Sequence, residues 1–234
     1  MDVRDALDAG KTTAIIATGG VEPNGPWLAT GKHNYVLRAN CDAIARELGN
    51  ALCAPVVKWV PEGTIEPASG HMRSAGTISV ERETFESLLT DIAESLQAHG
   101  FENIVFIGDS GGNQRSQAAV ADALNAKWGG AARAHQVSEY YPASAGPRNV
   151  LRERGIEAEG QAGRDGLHDN ATITLNMMAA DIRSVRWQER VDAGLATIDG
   201  ISIADLEQAL TLGREISEAR AKHTADAIRS RIGN

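Results

Sequence analysis

The chain reads as a single α/β domain, and three observations predict it. Short apolar runs at 12–17, 54–60 and 104–107 read as buried strands. Between and after them lie stretches whose apolar residues recur at three- and four-residue spacing, the mark of a helix with one buried face. The third run leads at once into Gly108-Asp-Ser-Gly-Gly-Asn113 and then a helical pattern, the strand, glycine turn, helix order of α/β proteins.

Strand one, at 12–17, opens into Gly19-Gly-Val-Glu-Pro-Asn-Gly-Pro-Trp-Leu-Ala-Thr-Gly-Lys-His33, irregular glycine-rich backbone at a strand's carboxyl end, where such folds place ligands. A helix follows over 35–48, closed by Gly49, with Val36, Ala39, Ala43 and Leu48 on one face. After the strand at 54–60, residues 61–76 form a Pro/Gly/Glu-rich loop carrying Glu62, Glu66 and His71, long enough to be functional. Phe85, Leu88, Leu89, Ile92 and Leu96 define a helix over 81–99, ended by Gly100. The helix at 114–128 precedes a strand within 131–141, and 142–165 has no period and suits a lid or an oligomer contact. A helix over 169–182 begins directly after His168, and 203–232 is helical with a break or bend near Gly213.

At 234 residues the chain can bury a large core, and no linker or charge block divides it, so 1–234 is one domain. A net charge of -8 leaves no basic patch for phosphates, which argues against nucleic acid and for a small-molecule partner. Cys41 and Cys53, both in apolar surroundings, are expected to be reduced, as in the cytoplasm. No apolar run reaches the roughly 20 residues that span a bilayer, so no membrane partner is expected.

Carboxylate and imidazole suit a divalent transition metal such as zinc or manganese, which polarises a carbonyl and acidifies a bound water. Glu22 and His33, eleven residues apart around the first loop, supply both types. Asp109 follows the strand at 104–107 and is a third ligand or, in the plainer reading, a helix N-cap. Ser110 and Asn113 are substrate-binding candidates. Gly108-Asp-Ser-Gly lacks the Gly-x-Ser-x-Gly elbow, which counts against Ser110 as a nucleophile. His168, with Asp169 beside it, suits a general acid or base near neutral pH; the plainer reading is a surface histidine next to a helix cap. The charges of the C-terminal helix read as a solvated face.

Four motifs, in order, resemble those of the creatininase (creatinine amidohydrolase) family. Gly19-Gly-Val-Glu-Pro-Asn-Gly-Pro is similar to its Gly-Ser-x-Glu-Gln-His-Gly-Pro-His, and Gly70-His-Met-Arg-Ser-Ala-Gly-Thr-Ile-Ser79 to its Glu-His-x-x-Phe-Pro-Gly-Thr-Ile-Ser. Gly108-Asp-Ser-Gly-Gly-Asn113 falls where the family has Asn-Gly-His-Gly-Gly-Asn, and Gly166-Leu-His168 where it has His-Ala-Gly. The resemblance implies a three-layer α/β/α fold with a mainly parallel sheet, a homo-oligomer such as a hexamer, and hydrolysis of cyclic or formyl amides with two divalent metals. By position, Glu22 matches a metal-binding Glu, whereas Asn24, His33 and Ser110 stand where the family has His, a bridging Asp and His.

Asn and Ser are poor ligands for zinc, and an imidazole does not bridge two cations as a carboxylate does. The expectation is therefore one divalent ion, zinc, manganese or iron, on Glu22, His33 and Asp109. Water on that ion attacks a small, cyclic, amide-type substrate, and His168 shuttles the proton. Asn24, Ser110 and Asn113 line the pocket, with Glu62 or Glu66 and His71 at its mouth. The alternatives are a hydrolase of a cyclic ketone or lactone, and a metal-free binding or scaffold protein that retains the fold.

Overall fold

Strand β1 (Thr13–Thr18) is buried along its whole length, so both its faces need cover. The computed structural model, which describes residues 2–141, 146–153, 155 and 169–233, supplies a helical layer on each side. Helix α1 (Val3–Asp8) leads into β1, and α2 (Lys32–Leu48) returns the chain to β2 (Ala51–Cys53). Then come α3 (Arg82–Ala98), β3 (Asn103–Gly108), α4 (Gly111–Trp128) and β4 (Arg133–Gln136). The four strands are all parallel, in the order β2-β1-β3-β4.

Alternate residues of the central strands feed two cores. Ala14, Ile16, Ile104 and Phe106 pack with Phe85, Leu89 and Ala93 of α3 and Val120, Ala121 and Leu124 of α4. Ile15, Ala17, Val105 and Ile107 pack on the other face with Leu37, Cys41 and Ile44 of α2. Completing that second layer is the long α8 (Leu206–Ile232), which contributes Ala221, Ala225 and Ile228. This is the three-layer α/β/α arrangement, with period-two alternation sending successive side chains to opposite cores.

A third cluster lies beside the sheet. It joins α6 (Ala171–Ala180) to the amino-terminal half of α8 through Leu175, Met178, Leu212 and Ile216. Helix α8 runs without a break through Gly213, where a Cβ would lie 2.2 Å from the Leu175 carbonyl oxygen. The glycine is where two helices touch backbone to backbone. Between α6 and α8 come α7 (Trp187–Asp192) and a hairpin of β5 (Thr197–Ile198) and β6 (Ile201–Ser202). In that hairpin Asp199, at φ +50°, accepts the Ala171 N–H at 2.8 Å and, with the Asn170 cap, fixes the start of α6. Helix α5 (Gly146–Glu153) is the described part of 142–165, apart from Gly155.

Three further expectations differ from the structure. The strand expected at 54–60 is Ala51–Cys53 instead, because Pro55 has no N–H for a ladder; 54–60 meets β1 through the Ala54 N–H on the Ile15 carbonyl and again at the Thr18–Val57 bridge. The first long helix begins at Lys32, not at 35, which brings Lys32 and His33 onto its buried side. Cys41 and Cys53 are not free thiols: α2 lies against the end of β2 with their Cα atoms 6.1 Å apart, and the two are joined as a disulfide. The cysteines therefore give no argument for a reducing compartment. Among the described residues no helix is long and apolar enough to cross a membrane.

Candidate active site

The sheet order reverses between β1 and β3, and the carboxyl ends of these two neighbours form the crevice where open α/β sheets bind ligands. Glu22 enters from the loop after β1, and Asp109 directly follows β3. Lys32 and His33 come from the first turn of α2, and all but the partly buried Asp109 are nearly inaccessible.

The four side chains form one connected chain of charges. His33 Nδ1 lies 2.8 Å from Asp109 Oδ2 and its Nε2 3.1 Å from Glu22 Oε1. Lys32 Nζ lies 3.2 Å from the same Glu22 oxygen and 2.8 and 3.3 Å from Nε2 and Nδ1 of His33. The in-plane directions of the two ring nitrogens diverge, so an atom this near both sits over the ring face. From α8, Arg220 donates through Nη1 to Asp109 Oδ1 at 3.3 Å, its guanidinium stacked 5.3 Å over Tyr140. Burial and the Lys32 ammonium push the His33 pKa down, but bonding to Asp109 and Glu22 outweighs them and the result is raised. Asp109 is held below the usual carboxylate range: burial opposes its charge, yet the His33 bond and the charges of His33 and Arg220 prevail.

Glu22 turns its second oxygen outward. His71, on a single 3₁₀ turn (Gly70–Arg73), places Nε2 2.9 Å from Glu22 Oε2. The His71 N–H donates to the Glu62 carbonyl at 2.9 Å, which closes the loop and brings both side chains to the same place. Glu62 is buried, and its pKa is pushed up to about 7 by burial and then by the neighbouring Glu22 carboxylate. Gly20 makes room for it, since a Cβ at that position would stand 1.9 Å from Glu62 Oε1. Glu22, Glu62 and His71 each offer one ligand atom, all within 4.8 Å of one another.

The three expected ligands therefore meet, but not around one open space. Both nitrogens of His33 face carboxylates and Lys32 covers its ring, so a cation among Glu22, His33 and Asp109 would displace the ammonium; that set does not fit a metal. The outer set does. Two carboxylates and an imidazole suit zinc or manganese, and Glu62 Oε1 is buried with no hydrogen-bond donor in reach among the described residues.

The other expected residues lie as follows. Asn24 is buried and donates to the Glu22 carbonyl at 2.8 Å, and Asn113 braces the end of β1 through Thr18 Oγ1 and the Gly19 carbonyl, both at 3.0 Å. Both amides thus serve the backbone. Ser110 is the N-cap residue of α4 without a capping side-chain bond, so neither it nor Asp109 caps the helix. Asp169 is half-buried within the electrostatic reach of Arg190, and His168 lies outside the described residues.

Sequence reasoning missed Lys32 and Arg220. Arg220 falls on the Leu212, Ile216, Arg220, Thr224 stripe of α8, four residues apart, which is the buried side and not a solvated one. That spacing was the available signal. Lys32 is marked only by standing beside His33.

Fold and site together define an α/β protein whose carboxylate and imidazole side chains converge at the carboxyl edge of a parallel sheet. The family model for Creatininase, described as creatinine amidohydrolase, matches residues 1–226, and the chain belongs to that family. Among solved structures, a creatininase in a manganese form is 22% identical with a TM-score of 0.72, covering 98% of this chain and 95% of that one. A Glu-to-Gln mutant creatininase complexed with creatine is 20% identical at a TM-score of 0.70, covering 99% and 96%. A putative creatinine amidohydrolase from Bacteroides fragilis NCTC 9343 is 16% identical at 0.61, covering 92% and 90%. No curated protein matches the sequence.

Proposed function

We propose that the chain is a hydrolase of a small, cyclic, amide-type carbonyl compound, working with one divalent ion, zinc, manganese or iron, held by Glu22, Glu62 and His71. The observation that supports this reading is the convergence of those three donors, at the sheet's carboxyl edge, in a chain of the creatininase family. When bound, the ion supplies Lewis acidity toward the substrate carbonyl and lowers the pKa of water.

The chain's own residues do the rest. Half-exposed His71 and Ser110 face incoming substrate at the mouth. Buried Asn24 and Asn113 hold the two loops in register beneath it. His33, between Glu22 and Asp109, keeps the Glu22 carboxylate oriented. His168, next to Asp169 in the sequence, gives a proton to the leaving group. The working form is a homo-oligomer, for which Trp59, Ile65 and Ile78 on the site loop supply exposed apolar surface.

The test is elemental analysis of protein purified without chelator, followed by a panel of cyclic amides, formyl amides, lactones and cyclic ketones. Near-stoichiometric metal that falls in His71→Ala, with turnover of a cyclic amide, supports the reading. Absence of bound metal after supplementation, with no hydrolysis of any panel member, would overturn it in favour of a binding role.

A further inference from the structure

The inner half of the site contains a cation that is part of the polypeptide. Lys32 Nζ is buried, 3.2 Å from Glu22 Oε1 and over the face of His33, whose far nitrogen reaches Asp109. A lysine is seldom buried without partners, because removing an ammonium from water is costly unless carboxylates surround it. Here the loop after β1 brings the Glu22 carboxylate against the ammonium, and Asp109, on the turn after β3, adds its charge without touching it. The carboxylate oxygen that an ion there would use, Glu22 Oε1, is the one that holds the ammonium.

We propose that Lys32 is the resident cation of the inner half of the site, standing in for a second divalent ion and limiting this chain to one. It is a positioning residue: its ammonium fixes Glu22 Oε1, which leaves Oε2 to face His71 and Glu62. A divalent ion brought to the inner side would share Glu22 Oε1 with an ammonium at 3.2 Å and meet its charge at close range. The two do not fit together. This inference rests on the one-ion reading above for the outer ion only, and the inner assignment stands without it.

The experiment is calorimetric titration of chelator-stripped protein with Zn²⁺, checked by elemental analysis after dialysis. It uses wild type, Lys32→Ser, and Lys32→Ser combined with Asp109→Asn. The expected result is one equivalent in wild type, two in Lys32→Ser, and a return to one in the double variant. If Lys32→Ser does not fold, Lys32→Gln, which keeps the length and a hydrogen-bonding end, is titrated in its place with the same expectation. Two equivalents in wild type, or no gain on neutralising Lys32, would overturn the assignment. No ion in wild type but one in the Lys32 variant would sink the outer-site reading while supporting Lys32 as the inner cation.

Discussion

Replacing Asp109 by Asn leaves the shape of the site unchanged and removes the charge on which two buried cations depend. His33 Nδ1 is 2.8 Å from one carboxylate oxygen and Arg220 Nη1 is 3.3 Å from the other, with the His33 and Arg220 side chains only 5% and 7% exposed. Breaking a buried pair by neutralising one partner costs about 3–5 kcal/mol, because the other charge stays buried and unpaired. For a chain of this size each kcal/mol is about 2–4 °C in Tm, so a fall of about 6–20 °C is expected near pH 6. The pH dependence carries a sign. Asp109 has a lowered folded pKa, so its stabilisation is present above the unfolded value near 3.9 and is lost as pH falls through the folded one. His33 has a raised folded pKa, so its share is complete below about 6.5 and is lost as pH rises through the folded value. Thermal melts of the two proteins from pH 3 to 9 should therefore differ most between about pH 4 and 6.5. A loss under about 1 kcal/mol at pH 6, or a gap that ignores pH, would refute the buried charge chain.

Glu62 gives the opposite slope. Its folded pKa, raised to about 7 from 4.5, means that chelator-stripped wild type loses stability as pH rises between those values. Glu62→Gln should lack that slope and be more stable at pH 8 by about 3 kcal/mol, read from urea midpoints; parallel curves would count against a buried, proton-holding Glu62. Gly20→Ala places a methyl against Glu62 Oε1 and should weaken Zn²⁺ binding about 10–100-fold while the circular dichroism spectrum stays unchanged. Gly213→Ala forces α6 and α8 apart at the Leu175 carbonyl, with an expected loss of about 1–3 kcal/mol in urea unfolding; wild-type stability would mean the contact is not tight.

The layers were legible because they follow from local pattern. Ile15 and Ile16 on a buried strand need two cores, and the period of α3 and α4 supplies one of them. Glu22 and Asp109 could be marked because loops at carboxyl ends of parallel strands face one crevice. How Glu22 divides its oxygens depends on side-chain directions that no spacing encodes. Residues 54–80 illustrate this: their loop composition puts Glu62 and His71 at a mouth, yet a backbone bond between them draws both onto Glu22. Arg220 was legible in its four-residue stripe, but its partner lies 111 positions away, a separation that local pattern does not bridge.

Glu22 serves two clients through one carboxylate: Oε1 belongs to Lys32 and His33, Oε2 to His71. A group that withdraws electron density from one oxygen changes what the other can offer, so the two halves of the site are thermodynamically conjugate. Substitutions on opposite sides of Glu22 should not add. By the reciprocity of linked equilibria, whatever coupling runs from the mouth through His33 and Asp109 to the Arg220 guanidinium runs in equal measure from that helix back to the mouth.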